Sequence, residues 1–549
     1  MSGRKSGRKK DEKPPPPTGP GSKIKSLPAD IRRHILPQQD GQRGVQLNWS
    51  TTSVKNLPKE IYQNEEIQGF ARILEAPNNR LKKVPGAVSA LKELENIDLK
   101  NNTISKLPGS ISRLKALNYL DISSNTLRSL PATIHKASGL TEIKAANNRL
   151  KTVPAKLGTA PSLVSIDLSN NIIKSLKKNI YKLPLTLNVS HNKLKDLPAV
   201  SVKNPCIHSM DVSYNQLEQL PNGIENLLCL TSLDVSHNEL TELPPQLGLV
   251  KYMTHLDISH NKLKFLNPEL CNLQFAMTQL YISHNSLETL PDEFCMFKKL
   301  TTLDLSHNEI NLLPPKFEDM KTLKKLNLSH NKFRNVSALS GLRNCEDLDL
   351  SSNAIDLLPS DIDKMKALVN LDISDNAIKT IPDSIGRIRT LKMIKMANNS
   401  VTTLPDTLGD DQIIIYIDAT NNGLEALPAD MRKLRNMETL LLSQNQLSAF
   451  LQLEEFPAAI GNLKMLQNLD LSNNLLKKLS DKFFKLKNLA RLIIKNNTLQ
   501  AFPDDISTLK KLKYLDASNN QITEFTKEMT QLSELEFIDL SENQLQTLP

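Results

Sequence analysis

Six histidines in the middle of the chain share one spacing, because each stands directly before an asparagine. They are His191, His237, His260, His284, His307 and His330, with Tyr214 at the same place in the segment between the first two. Evenly spaced imidazoles suggest a metal site or a proton-transfer site. Zinc needs ligands at about 2.0–2.1 Å in a tetrahedral cluster, whereas a straight row with members about 5 Å apart offers two nitrogens per ion. No cysteine joins the row, so we predict no metal site.

Two interpretations of the histidine row remain open. In the first, histidine is simply the consensus residue at the point where each strand ends. In the second, the row is a stripe that contacts a protein partner, and it is sensitive to pH because histidine titrates near neutrality.

An Asp–Ser–His group within one segment invites comparison with a hydrolase triad. Asp234, Ser236 and His237 form one such group, and the same three residue types recur from Asp257 and from Asp304. Catalytic sites do not occur as arrays, and nothing in these segments implies an oxyanion hole. With 18 glycines in 549 residues, the chain also has little material for a phosphate-binding loop. We therefore predict no catalytic residue, no cofactor and no enzymatic activity.

The elements that position these residues come from one repeated template, L-x-x-L-x-L-x-x-N-x-L-x-x-L-P-x-x-I-x-x-L. Its asparagine occurs 21 times from Asn79 to Asn543, and 16 of the 20 intervals are 23 residues long. The leucines predict a short strand with inward side chains, followed by a turn at the asparagine and a return arm that starts at Leu-Pro. The asparagine amide donates and accepts hydrogen bonds at once, which suits a buried turn. The predicted structural asparagine ladder includes Asn102, Asn125, Asn148, Asn171, Asn215, Asn238, Asn261, Asn285, Asn308 and Asn331.

Stacked repeats of this kind expose the x positions of their strands on the inner face of a curved solenoid. Aspartate occupies the position four before the asparagine in 13 repeats, and such a row of like charges favours raised carboxylate pKa values or basic partners. The predicted partner-binding face comprises His208, Asp211, Tyr214, Asp234, His237, His255, Asp257, His260, Tyr281, His284, Asp304, His307 and His330.

The 23-residue pattern resembles the intracellular Ras-group leucine-rich repeats, a class that includes a scaffold joining Ras to Raf and a phosphatase, and the plant Ras-group-related proteins. The resemblance covers roughly residues 45–549. It implies an α/β solenoid, a leucine-rich repeat horseshoe of about 22 repeats with a parallel sheet on the concave face. It also implies a non-catalytic scaffold or adaptor in intracellular signalling, with a small GTPase, kinase or phosphatase as partner.

The domain organisation follows the template. Residues 1–23 are predicted to be a disordered basic and proline-rich tail, residues 24–46 an N-terminal cap or degenerate half repeat, and residues 47–549 the solenoid. Six extra residues near 450–456 predict a loop, and the end at Pro549 suggests that a C-terminal cap is missing. A repeat-bearing part of an enzyme with its catalytic domain beyond residue 549, or a cytoskeletal or ciliary protein, are the alternative functions.

Charge and cysteine usage narrow the partners and the compartment. Of the net charge of +10, residues 1–23 carry 7 − 2 = +5, so nucleic acid is not predicted as a partner, and only a weak anionic-surface contact is expected from the tail. No apolar run of 18 residues predicts a membrane span. The five cysteines show no CxxC spacing and predict neither a disulfide framework nor a zinc site. The predicted location is the cytoplasm, with the nucleus as the alternative.

Overall fold

The computed structural model describes residues 22–38, 44–183, 186–203, 205–410, 413–428, 431–447 and 458–546. Within the chain, two compact units are distinguished, residues 1–234 and residues 235–549. Three sequence predictions fall outside the described residues: most of the tail at 1–23, the insertion near 450–456, and the chain end at Pro549. They stay predictions.

The described part of the first unit begins with short helices and one antiparallel strand pair. The α-helices are α1 (Ser22–Lys25), α2 (Ala29–Arg32), α3 (Glu60–Gln63) and α4 (Glu65–Phe70). The strands are β1 (Ile35–Pro37), β2 (Val45–Asn48), β3 (Ala71–Glu75), β4 (Asn96–Asp98), β5 (Tyr119–Asp121), β6 (Glu142–Lys144), β7 (Ser165–Asp167), β8 (Thr186–Asn188), β9 (Ser209–Asp211) and β10 (Ser232–Asp234). Strand β1 is antiparallel to β2, with Ile35 opposite Leu47, and β2 to β10 are parallel in chain order.

The second unit repeats the same arrangement with parallel strands in chain order. Its strands are β11 (His255–Asp257), β12 (Gln279–Tyr281), β13 (Thr302–Asp304), β14 (Lys325–Asn327), β15 (Asp347–Asp349), β16 (Asn370–Asp372), β17 (Met393–Lys395), β18 (Tyr416–Asp418), β19 (Thr439–Leu441), β20 (Asn468–Asp470), β21 (Arg491–Ile493), β22 (Tyr514–Asp516) and β23 (Phe537–Asp539). Neighbouring strands pair in register, so residues at equal template positions lie side by side. Leu303 of β13, for example, lies opposite Leu326 of β14.

The return arms are 3₁₀-helices. In the first unit they span Gly86–Ala90, Gly109–Arg113, Ile134–Lys136, Leu157–Thr159, Lys178–Lys182 and Ile224–Asn226. In the second unit they span Pro245–Leu249, Pro268–Phe275, Asp292–Met296, Phe317–Asp319, Ser337–Leu339, Ile362–Lys364, Asp383–Arg387, Met431–Leu434, Ala458–Asn462, Asp481–Lys485, Asp504–Thr508 and Lys527–Gln531. Most arms have only three to five residues between the template proline and the next buried leucine, which suits the short 3₁₀ turn.

The core of each repeat consists of the template's aliphatic positions. In the repeat around Asn308, Leu300, Leu303 and Leu305 are buried on the strand side, and Phe317 is buried on the return arm. A fully buried side chain of this size contributes roughly 1.5–3 kcal/mol, but one repeat alone cannot cover its own apolar face, so each depends on its neighbours. The parallel strands and regular return arms confirm the predicted repeat solenoid.

The ladder asparagines tie each turn to the preceding repeat. The Asn308 side chain donates from Nδ2 to the carbonyls of Ile282, Leu305 and Ser306 at 3.0–3.1 Å. Its Oδ1 accepts from the backbone N–H of Leu287 at 3.0 Å. The same pattern is seen at Asn102, Asn125, Asn148, Asn171, Asn215, Asn261, Asn285 and Asn331, and Asn238 donates likewise to Val235 and Ser236. Paired donors and acceptors allow the turn to be buried without orphaned polar groups.

Candidate functional site

The residue directly before each ladder asparagine has a left-handed backbone conformation. For His237, His260, His284, His307 and His330 the φ angle is between +50° and +52°. Asparagine stands at this position in nine other repeats, with the same sign of φ. Asn, Asp and His are the non-glycine residues that tolerate this region best. The backbone therefore restricts the choice of residue here, and histidine is one of the residues that fit.

The five histidines of the second unit form one stack, which we call the histidine column. Ring centroids are 3.8 Å apart for His237 and His260, 4.0 Å for His260 and His284, 3.9 Å for His284 and His307, and 4.0 Å for His307 and His330. The angle between neighbouring ring planes is 11–13°. In the first unit, His191 and Tyr214 stack in the same way at 4.0 Å.

Where asparagine or aspartate fills this position, amide hydrogen bonds replace ring stacking. Asn398 donates to Asp375 and Asn421 donates to Asn398, each at 2.8 Å. Side chains at this position therefore interact from repeat to repeat both as stacked rings and as amide hydrogen bonds. The column is the aromatic version of a contact that runs along the turns.

The column favours neutral imidazoles. Burial lowers the pKa of His260, His284 and His307. A positive charge on the preceding ring of the column lowers each pKa further: His237 acts on His260, His260 on His284, and His284 on His307. The carboxylates of Asp257 and Asp304 act in the opposite direction but do not outweigh these causes. At neutral pH these three imidazoles are therefore mostly uncharged.

Four of the five rings of the column have nitrogens without a hydrogen bond among the described residues. In the part of the chain that the structure describes, the ring nitrogens of His260, His284, His307 and His330 make no hydrogen bond within the protein. The charged residues that follow the asparagines pair with one another: Glu239 with Lys262 at 3.1 Å, and Glu309 with Lys332 at 2.8 Å. The imidazole nitrogens thus form a row of unused donors and acceptors beside a row of paired charges.

The row of aspartates stabilises the turns. Asp257 Oδ1 accepts from both the backbone N–H and the hydroxyl of Ser259, at 2.9 and 2.6 Å. Asp304 Oδ1 accepts from the N–H of Ser306 at 2.9 Å. The expectation of raised carboxylate pKa values is wrong at Asp539, where hydrogen bonds from Ser541 lower the pKa. Donors within each turn, rather than repulsion along the row, decide the protonation there.

Two further predicted residues lie on the strands of the second unit. His255 Nδ1 lies 3.0 Å from the side-chain oxygen of Gln279, and its ring is tilted against Tyr281 at 5.5 Å. Burial, helped by the charges of Asp257 and Asp304, raises the pKa of Tyr281. These residues lie on the strands, whereas the histidine column lies at the turns.

Next to Tyr281 the strand face forms a groove of about 300 Å³, which we call the strand-face groove. It is lined along strands β12 to β17 by Tyr281, Thr302, Leu303, Asp304, Lys325, Leu326, Asn327, Asp347, Leu348, Asp349, Asn370, Leu371, Asp372, Met393 and Lys395. The leucines among them belong to the buried core of the repeats. The groove therefore has an apolar base and polar walls.

Ion pairs organise the groove. Lys325 Nζ lies 3.5 Å from Asp347, and Lys395 Nζ lies 3.3 Å from Asp372. Asn370 donates to Asp347 at 2.6 Å. Burial acts to lower the pKa of Lys395, but the charge of Asp372 and the hydrogen bond with it prevail and raise that pKa.

Two aspartates of the groove use only one of their carboxylate oxygens within the described residues. Asp304 and Asp349 use Oδ1 to accept hydrogen bonds from Ser306 and Ser351. Within the described residues, neither Oδ2 has a hydrogen-bond or ion-pair partner. Both can accept hydrogen bonds from a docked chain, and the groove has four carboxylates against two lysines.

The remaining predicted residues lie in the first unit. Asp211 ends β9 and accepts from the N–H and hydroxyl of Ser213 at 3.0 and 2.7 Å. His208 is exposed just before β9, and Tyr214 is 44% exposed beside His191. Asp234 ends β10.

Sequence reasoning missed the groove residues Lys325, Asp347, Asn370, Met393 and Lys395. It followed residue types that recur, such as His and Asp, whereas four of these five stand at the first strand position, where the residue type changes from repeat to repeat. That variability at a partly exposed strand position was the signal that could have found them. Among the described residues, no group of three or more His, Cys, Asp or Glu is arranged to hold a metal ion, and no helix has the length and apolarity to span a bilayer.

Comparison with known proteins identifies the repeats. Leucine-rich repeat family profiles match residues 72–127, 229–249, 251–310, 275–333 and 311–355, and a leucine-rich repeat region profile matches residues 447–549. No curated protein matches the chain.

Solved structures share the fold at low identity. The chain is similar to a TDR receptor, with 23% identity over 91% of this chain and 89% of the other, and a TM-score of 0.66. YopM from Yersinia enterocolitica gives 24% identity over 97% and 93%, with a TM-score of 0.56. The Arabidopsis receptor kinase HAESA, solved with the peptide hormone IDA and the co-receptor SERK1, gives 22% identity over 93% and 88%, with a TM-score of 0.58. These similarities show the fold.

Proposed function

We propose that this chain, which folds as a leucine-rich repeat solenoid, is a non-catalytic scaffold. It binds protein partners through the strand face of its second unit. The observation that carries the proposal is the strand-face groove, where Asp304 and Asp349 offer unused carboxylate oxygens beside the apolar base. Concave or grooved surfaces with an apolar base and a few polar groups are typical binding sites. HAESA, which has the same fold, is seen with a peptide hormone and a co-receptor.

The groove suits a segment that presents hydrogen-bond donors. Its lysines are already paired with Asp347 and Asp372, so they neutralise part of the negative charge without covering Asp304 or Asp349. Arginine, lysine or free backbone N–H groups of an extended partner segment would pair with these two carboxylates. The partner-contact role of the histidine column belongs to the same proposal, because four of its five rings, those of His260, His284, His307 and His330, make no hydrogen bond within the part of the chain that the structure describes.

We propose further that the partner is a cytoplasmic signalling protein, with a Ras-type GTPase or phosphatase pathway as its context. The support is the likeness of the 23-residue pattern to the intracellular Ras-group repeats, together with five cysteines that form no disulfide. Cytoplasmic proteins keep their thiols reduced. Fluorescence microscopy of the tagged chain with cytoplasmic, nuclear and secretory markers tests the location, and a secretory distribution would contradict it.

A charge-swapped pair tests the groove. In the variant Lys325→Asp with Asp347→Lys, the ion pair and the net charge are kept, but the positive and the negative charge exchange places in the groove. The matched control, Lys513→Glu with Glu536→Lys, swaps another exposed ion pair between neighbouring repeats, one that lies outside both the groove and the histidine column. Both variants should melt like the wild type, since exposed ion pairs contribute about 0–1 kcal/mol.

The readout is affinity capture from an extract of the source organism, with quantitative mass spectrometry. We expect a set of proteins retained by the wild type and by the control swap, and lost with the groove swap. The same purified chains are then tested directly against a Ras-type GTPase loaded with a GTP analogue and against a phosphatase catalytic subunit. Equal capture by all three chains would refute the groove as the docking surface, and failure of only the direct tests would refute the named pathway.

A further inference from the structure

Two cysteines of the first unit occupy the same position in neighbouring repeats. Cys206 and Cys229 each stand three residues before a strand, and those strands pair in register, with Ser209 opposite Ser232. Backbone pairing extends toward the cysteines, because the N–H of Thr231 donates to the carbonyl of His208 at 2.8 Å. The two cysteines are therefore held side by side by the repeat itself.

Their arrangement suits a covalent link. Neighbouring strands lie about 4.8 Å apart, which falls within the Cα separation of about 4.4–6.8 Å that a disulfide requires. The Cys229 thiol is near enough to Cys206 to help raise its pKa, after the larger effect of burial; both side chains are half-buried, and neither is in a disulfide. Small side-chain rotations would bring the sulfurs into bonding distance.

The other cysteines lack this combination of contact and access. Cys271 and Cys345 are 3% and 0% exposed, and burial raises the pKa of each thiol to about 12. Cys295 is half-buried, and its neighbour in the adjacent repeat is the buried Cys271. These three thiols are internal controls, since an oxidant that reacts with any accessible thiolate meets all five in one chain.

We propose that Cys206 and Cys229 form a reversible dithiol site, which hydroperoxides oxidise to an intramolecular disulfide. One thiolate attacks a peroxide oxygen and becomes a sulfenic acid, and the leaving oxygen takes up a proton to become water or an alcohol. The second thiol then attacks the sulfenic sulfur, the S–S bond forms, and water leaves. Two electrons pass from the two thiols to the peroxide, and a thiol reductant such as glutathione reverses the change.

The link would join two repeats beside His208, which precedes β9. It closes a loop from residue 206 to residue 229 and so holds these repeats together when the strands open. Burial, with a smaller effect of Cys229, raises the pKa of Cys206, so attack through the Cys206 thiolate becomes faster as the pH rises. This site is independent of the proposed scaffold function.

The test uses the full, reduced chain treated with hydrogen peroxide and then alkylated under denaturing conditions. Before alkylation, we expect the mass of the oxidised monomer to be about 2 Da below that of the reduced chain, for the loss of two hydrogen atoms. After alkylation, peptide mapping should find Cys206 joined to Cys229 and the other three cysteines alkylated. Glutathione should restore five alkylated cysteines. Disulfides between chains, a Cys271–Cys295 link, or stable sulfinic acid on unpaired Cys206 would each overturn the proposal.

Single variants separate the pair from general oxidation. Cys206→Ser and Cys229→Ser should each abolish the loss of about 2 Da, whereas Cys345→Ser, the matched control, should keep it. Phenylarsine oxide, which bridges neighbouring thiols, gives a second measurement without an oxidant. It should bind the wild type and the Cys345→Ser chain and fail to bind either variant of the pair. Equal binding to all four chains would contradict the proximity of the two thiols.

Discussion

Replacing Asn308 with alanine tests the asparagine ladder by removing one amide from a buried turn. The three carbonyls that receive its Nδ2 each keep another donor: Asn285 for Ile282, Asn331 for Leu305, and the N–H of His284 for Ser306. The N–H of Leu287, a fully buried residue, has its hydrogen bond to Asn308. The alanine variant therefore orphans chiefly one buried donor, at a cost of about 1–3 kcal/mol.

Hydrogen exchange followed by mass spectrometry is the suitable assay, because repeat arrays open locally and a single melting temperature averages over many repeats. A loss of about 1–3 kcal/mol corresponds to protection lower by about 5- to 150-fold in peptides around residues 280–290. Peptides in the first unit should keep wild-type protection.

The control replaces an exposed asparagine that also donates to a neighbouring repeat. Asn344 donates to the carbonyl of Lys321 at 2.7 Å, and water can replace it there. Asn344→Ala should therefore change stability by no more than about 0.5 kcal/mol. Equal exchange around residues 280–290 in the two variants would refute the assignment of this turn's stability to the ladder amide.

Three further outcomes follow from the same turns. Replacing His260, His284 and His307 together with asparagine should flatten the pH dependence of stability. The folded pKa values of these histidines lie below the ordinary 6.5, so the wild type loses stability as the pH falls through 6.5. Denaturation measured between about pH 5 and 7.5 should therefore show a smaller loss of stability in the variant. An identical slope in both chains would argue against burial of these rings. His284→Val should destabilise by about 1–3 kcal/mol relative to His284→Asn, because valine tolerates a positive φ poorly, and matching urea midpoints would contradict that cost. Asp304→Ala should lower stability by about 0.5–2 kcal/mol, as the loss of a helix cap does. Asp304→Asn keeps an acceptor for the N–H of Ser306 and should stay within about 0.5 kcal/mol of the wild type. Equal losses of stability in the two variants would show that the charge of Asp304, and not its hydrogen bond, matters.

Much of the fold follows from the sequence because the repeat is a strict one. Leu303, Leu305 and Asn308 stand at template positions whose neighbours are the same residue types in the next repeat, so periodicity alone fixes their burial and pairing. The left-handed turn at His307 did not follow, since nothing in the residue type states its φ angle until several repeats are compared. The presence of both histidine and asparagine at that position is the signal for it.

The candidate site followed less well, for a related physical reason. A residue that recurs in every repeat serves a structural need that every repeat shares, such as closing a turn. Asp304 is an example, because its Oδ1 accepts a hydrogen bond from the N–H of Ser306 in the same repeat. A binding surface for one partner needs side chains that differ along the stack, because the partner does not repeat every 4.8 Å or so. Sequence reasoning that followed regular residues therefore led to the turn-forming Asp and His positions.

The histidine column is restricted by the turn, as a recurring residue is, and yet it differs from the other repeats, as a binding surface does. The backbone requires a residue that tolerates positive φ, and asparagine would satisfy it, as it does at Asn398 and Asn421. Five consecutive repeats of the second unit have histidine instead, so stacked rings replace the amide hydrogen bonds. The turn explains why the position is restricted, but it does not explain five imidazoles in succession. The proposed partner contact would explain them, and the triple replacement with asparagine separates it from the turn requirement, since that variant keeps the turn and removes the rings.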